Sequence, residues 1–98
     1  MDDRFEAGRR ALEEAVLRGP GVTDPELRRR IAERREIPAD LVALVDKIER
    51  HAYTVTDEDL AAAKTKYSED ELFEIVVAAA LGSALQRLHA GLRALENA

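Results

Sequence analysis

Residues 67–89 constrain the fold of this chain more than any other stretch. Ser68 and Glu71 have the spacing of a capping box, in which each side chain satisfies an amide at the start of a helix. Leu72, Ile75, Val76, Ala79 and Ala80 then make one broad apolar face, and Leu81, Leu85, Leu88, Leu92 and Leu95 continue it and spread sideways. A helix that is apolar on more than one side belongs at the centre of a structure. Its middle narrows to small residues: Ala78/Gly82, Ala79/Ser83 and Ala80/Ala84 are pairs four apart, over which another helix can approach closely. The pattern predicts a helix from Ser68 to Glu96, despite the cost of about 1 kcal/mol for each of Gly82 and Gly91.

Four further helices precede it. The first is predicted from Asp3 to Arg18, with Phe5, Leu12 and Val16 on one face and Ala11 and Ala15 beside them; Gly19, Pro20 and Gly21 end it. The second begins at Thr23, read as its cap with Glu26 closing a box, and stops before Pro38. Leu27 and Ile31 are its apolar pair. The third runs from about Ala39 to Tyr53, with Leu41, Leu44, Val45, Ile48 and Ala52 at helical spacing. Thr54, Val55 and Thr56 interrupt it, because β-branched residues are poor helix interiors. Thr56 then caps a short fourth helix to about Lys66, whose first turn holds Asp57, Glu58 and Asp59, where the helix dipole favours acids. No strand-period segment competes, so the expectation is one all-α domain spanning residues 1–98, of about five helices with a long central C-terminal one.

Composition narrows the chemistry. The 98 residues include no cysteine, which excludes disulfides, thiolate metal sites and dithiol redox chemistry by the chain itself. No His-x-x-x-His or Glu-x-x-His spacing suggests a metal, and no glycine-rich loop suggests a phosphate cofactor; neither metal nor cofactor is expected. The longest apolar run, Ile75 to Leu81, is far short of the roughly 20 residues that cross a bilayer, and the N-terminus lacks the pattern of a signal peptide. A cytoplasmic protein without membrane attachment is therefore expected. The core should be thin, since only four aromatics (two Tyr, two Phe) are present. A thin-cored chain gains by sharing apolar surface with a second copy, so a homo-oligomer formed through the helix from Ser68 to Glu96 is expected.

The one basic patch is Arg28, Arg29, Arg30, Arg34 and Arg35. A nucleic-acid contact through Arg28–Arg35 is one reading. Interleaved Glu26, Glu33 and Glu36 favour the other, a solvated and ion-paired helix. The net charge of −5 also argues against nucleic acid.

The segment from Val55 to Leu95 resembles the AhpD-like / carboxymuconolactone decarboxylase superfamily. The resemblance rests on Thr56-Asp-Glu-Asp-Leu60, on Ser68-Glu-Asp-Glu-Leu-Phe-Glu-Ile-Val-Val-Ala-Ala-Ala-Leu-Gly82, and on Gln86-Arg-Leu88. It implies a small all-helical protein that assembles as a homo-oligomer. Peroxidase members carry Cys-x-x-Cys-x-x-x-His between the third and fourth helices. The matching positions here are His51, Thr54 and Glu58, so no residue of that motif is kept, and dithiol peroxidase activity is not expected. The resemblance further implies a site at His51, Tyr53, Thr54 and Glu58. In one reading this is a redox-inactive, ligand-binding or accessory module in which Tyr53 and Thr54 line a pocket. In another it is a decarboxylase- or isomerase-type enzyme in which His51 and Glu58 transfer protons. The plainest reading leaves His51 at the edge of an apolar helix face and Glu58 as an ordinary acid of a first turn. His89 reads as a polar residue at a helix boundary or subunit contact.

Overall fold

A computed structural model describes residues 3–51 and 54–97, without the side chains of residues 3–5. The fold is all-α. Among the described residues five helices follow in order: α1 (Asp3–Leu17), α2 (Pro25–Glu33), α3 (Val42–His51), α4 (Asp57–Lys64) and α5 (Glu69–Glu96). At about 1.5 Å per residue the 28 residues of α5 extend roughly 42 Å, which accounts for most of the molecule's 46 Å long axis.

The helix starts follow capping chemistry. Ser68 Oγ accepts from the Glu71 N–H at 3.1 Å, and the Glu71 carboxylate accepts from the Ser68 N–H at 2.9 Å. Thr56 and Asp59 form the same reciprocal pair at the head of α4. Ser68→Ala is expected to lower stability by about 1 kcal/mol, read as a shift of the urea midpoint at unchanged slope.

At α2 the structure corrects the expected cap. Asp24, not Thr23, caps the helix, accepting from the Glu26 N–H at 2.9 Å. Thr23 is buried, and its hydroxyl is used elsewhere. The helix also ends earlier than Pro38 dictates: Arg34 turns into the left-handed region at φ 59°. The Arg35 N–H reaches back to the Arg30 carbonyl at 2.9 Å and the Arg34 N–H to Ile31 at 3.2 Å, a Schellman turn built without glycine. A left-handed non-glycine residue costs about 1 kcal/mol. The Arg34 side chain offsets part of that cost, since its guanidinium pairs with both Asp46 and Glu49 of α3.

The core is a single cluster in which Ile31 of α2, Leu41 just ahead of α3, Leu44, Val45 and Ile48 of α3, and Leu72 and Ile75 of α5 meet. Packing of α2 on α5 is the most extensive of the helix pairs. It runs over the small residues Ala78, Ala79, Gly82 and Ser83, all buried. A Cβ at Gly82 would lie 2.3 Å from the Ala32 carbonyl oxygen and 2.7 Å from Ala32 Cα. Two of the three small-residue pairs thus serve contact within the chain. The other pair, Ala80/Ala84, is exposed.

α1 departs from expectation in a different way. Phe5 of its predicted inward face lies outside the described side chains; Val16 is half-buried, whereas Leu12 is 53% exposed and Ala11 and Ala15 are also exposed. Among the described residues of α1 only Leu17 packs against the buried cluster. α1 is held by polar contacts at its C-terminal end. Arg28, only 3% exposed, donates to the carbonyls of Val16 at 2.7 Å and Gly19 at 2.6 Å. Its Nε lies 3.8 Å from a Glu74 carboxylate oxygen. Glu74 in turn accepts from the N–H of Val22 at 2.8 Å and from the N–H and hydroxyl of Thr23 at 3.0 and 2.6 Å. Gly21 passes so close to this carboxylate that a Cβ there would fall 2.4 Å from Glu74 Oε1. The α1–α2 connection is therefore gripped from both sides, by a buried cation and by an anion.

Candidate functional site

The residues singled out by sequence fall around the end of α3 and the start of α4. His51 is the last residue of α3 and is exposed. Tyr53 lies outside the described residues. Thr54 is half-buried, and its hydroxyl donates to the His51 carbonyl at 2.7 Å; this bond closes the end of α3, as threonine hydroxyls commonly do beside a helix terminus. Glu58 is exposed in the first turn of α4, one residue beyond Asp57, where the free amides of the helix favour a carboxylate.

A hollow of about 520 Å³ opens between α3 and α4. Asp40, Ala43, Leu44 and Lys47 form one wall; Glu58, Asp59, Ala62 and Ala63 form the other. Its apolar floor comes from the inward face of α3 and the alanine face of α4. Its rim is polar. Glu58 contributes to this lining and His51 does not, so the hollow does not unite the two residues that the proton-transfer reading joins.

Sequence reading missed the charged pair that organises the hollow. Lys47 Nζ lies 2.7 Å from Asp59 Oδ2 and ties the middle of α3 to the head of α4. The same Asp59 oxygen accepts from the Thr56 N–H at 2.8 Å. The bond from Lys47, then that from the Thr56 backbone, holds the Asp59 carboxyl below its ordinary value. At the other end of the rim, Asp40 receives Lys66 Nζ at 3.1 Å and the Tyr67 hydroxyl at 3.1 Å. These bonds, Lys66 first, lower its pKa as well. Burial, then the bond to Asp40, raises that of Tyr67. Asp59 was legible only as a capping residue. Lys47 and Asp59 sit on different helices, and no local spacing signals their meeting.

Chemically, the lining offers three carboxylates and one ammonium. Two of the carboxylates are already engaged by cations, and Glu58 has no ion pair or hydrogen-bond partner among the described residues. No group of three or more His, Cys, Asp or Glu side chains that could hold a metal ion occurs among the described residues.

The basic patch is largely neutralised within the chain. Arg28 is buried, which corrects its placement on a solvated face. Arg29 pairs with Glu26, Arg34 with Asp46 and Glu49, and Arg35 with Glu33 at 2.8 Å. Comparison with protein-family models, with curated proteins and with solved structures gives no match for this chain.

Proposed function

We propose that this chain is a redox-inactive, AhpD-like helical protein that works as a small-ligand-binding or accessory module of a homo-oligomer. The observation that carries the ligand-binding part is the hollow between α3 and α4, with its apolar floor and carboxylate-rich rim. A pocket that is mostly apolar with a few placed polar groups is the usual form of a small-molecule site. The resemblance noted in the sequence puts the active site of its family at the same α3–α4 junction. The lack of any cysteine removes the thiol chemistry of the family's peroxidases. Support for the oligomer comes from α5. Phe73, Ala80 and Ala84 lie exposed on one side of it in the single chain, and a contiguous exposed apolar patch ordinarily marks an interaction site.

Glu58, without an ion pair or hydrogen-bond partner among the described residues, and the acidic excess of the rim favour a ligand with a small cationic head and a short apolar body. Titration with short primary alkylamines, followed by amide chemical shifts, tests this. Shifts are expected at Ala43, Lys47, Glu58 and Ala62, and Glu58→Gln should weaken binding roughly tenfold, the loss of one charge-assisted contact. Saturating amine that moves no resonance in this group would overturn the assignment of the hollow.

A further inference from the structure

The face of α5 turned away from the core is continuous and apolar. Phe73, Val77, Ala80, Leu81, Ala84 and Leu88 fall on it at helical spacing. Its largest residue, Phe73, is 69% exposed. About eleven residues further along the same face lies a hollow of about 400 Å³, lined by Gly8, Arg9 and Leu12 of α1 and by Leu81, Ala84, Leu85 and Leu88 of α5. One surface thus carries a projecting aromatic ring and an empty apolar recess. An isologous dimer needs that relation, because each copy then presents its knob to the other's hole.

Charge fixes the direction. Glu69, 3.6 Å from Lys64, and Asp70 stand at the head of α5, and Arg87, whose guanidinium also donates to the Glu49 carbonyl at 2.9 Å, stands beyond the recess. Placing two α5 helices antiparallel, with the two-fold axis between Val77 and Ala80, sets Phe73 over Ala84 of the other copy, the bulkiest residue of the stripe over one of its smallest. The same register brings Glu69 and Asp70 to Arg87 of that copy, and it opposes the two helix dipoles favourably. Parallel pairing would bring like charges together. A lipid bilayer is the other surface that could cover such a helix, and α5 is long and apolar enough to cross one by length and composition alone. But the opposite side of α5 is bound to α2 at Gly82, so insertion would carry Arg28, Arg29 and Arg30 into hydrocarbon, at a cost of several kcal/mol.

We infer that α5 forms an antiparallel two-fold dimer with a second copy of this chain, in which Phe73 of each copy fills the recess between α1 and α5 of the other. The inference rests on the homo-oligomer reading above and specifies its surface.

Sedimentation of the full chain over micromolar concentrations tests it, with four variants. Wild type is expected to be dimeric. Phe73→Glu alters a residue that is exposed in the single chain, so helicity should be unchanged while the dissociation constant rises at least about 100-fold, as for a central aromatic anchor present twice. Gly8→Leu fills the recess; a Cβ at Gly8 meets nothing within 4 Å, so folding should be kept while dimerisation is lost. Because the chain has no cysteine, Ala80→Cys should cross-link under oxidation near the axis, and Leu95→Cys, whose twin would lie tens of ångströms away, should not. Efficient cross-linking of both would show parallel pairing and overturn the arrangement. A wild type that associates but ignores Phe73→Glu and Gly8→Leu would sink this surface and leave the oligomer reading standing. A monomeric wild type would sink both, as would binding to phosphatidylglycerol vesicles without self-association.

Discussion

Gly82→Ala is expected to destabilise the protein by about 2 kcal/mol, while Gly91→Ala on the same helix is expected to stabilise it by up to about 1 kcal/mol. Propensity alone gives both substitutions the second sign, because glycine in a helix interior is about 1 kcal/mol worse than alanine. Packing reverses it at Gly82. The added Cβ would overlap the Ala32 carbonyl oxygen and Cα of α2. Both partners are backbone, so no side chain can swing aside, and overpacking of this kind costs about 1–3 kcal/mol or more. Relief requires α2 to lift from α5, which loosens the most extensive helix pairing in the fold. At Gly91 a Cβ meets nothing within 4 Å. Urea melts of the two variants measure the contrast. Equal shifts of the same sign would mean that α2 does not sit on Gly82 as described.

The second large effect is expected at Arg28. Arg28→Met keeps much of the volume but leaves the carbonyls of Val16 and Gly19 without their donor and Glu74 without its nearest cation. Removing one partner of a buried charged group costs about 3 kcal/mol, and two orphaned carbonyls act in the same direction. The loss should be visible as a lower urea midpoint with earlier exchange of the α1 amides. Glu74 adds a pH dependence. The Thr23 hydroxyl, more than any other contact, holds its carboxyl below the ordinary value of 4.5 against the opposing pull of burial, and the Thr23 and Val22 amides and Arg28 act with it. A carboxyl whose folded value is depressed contributes stability that is complete above its unfolded value and is lost as the pH falls through the folded one. Stability should therefore decline on acidification below about pH 4.5. Asp40 and Asp59, both lowered from 3.8, add to the decline at still lower pH. Glu74→Gln should flatten the upper part of that profile.

The long helix and its two neighbours were readable because their signals are local. Ser68 with Glu71, and Thr56 with Asp59, announce helix starts within four residues, and Leu44, Val45 and Ile48 repeat at helical spacing. What escaped the sequence depends on encounters across the chain. Thr23 looks like a cap; it is buried instead because Glu74, some fifty residues away, recruits its hydroxyl. Arg28 looks like one of five surface arginines, but only the fold shows that it lies under the end of α1. The α2 boundary moved from the expected stop before Pro38 to Glu33 because Arg34 has two acids of α3 within reach, which no inspection of residues 25–38 reveals. At the site, sequence reading singled out the turn between α3 and α4 and named Glu58, which lines the hollow there. Lys47, the one cation of that lining, was passed over because a single lysine on an amphipathic helix carries no pattern.

The weak tie between α1 and the core has an evolutionary corollary. Gly8 and Leu12 of this helix stand outside the buried core, so drift at these two positions costs the folded monomer little stability. Selection for solubility alone would steadily replace an outward leucine at position 12 and a helix-weakening glycine at position 8. If related chains retain both, the pressure that preserves them must originate in another molecule rather than in the stability of this one.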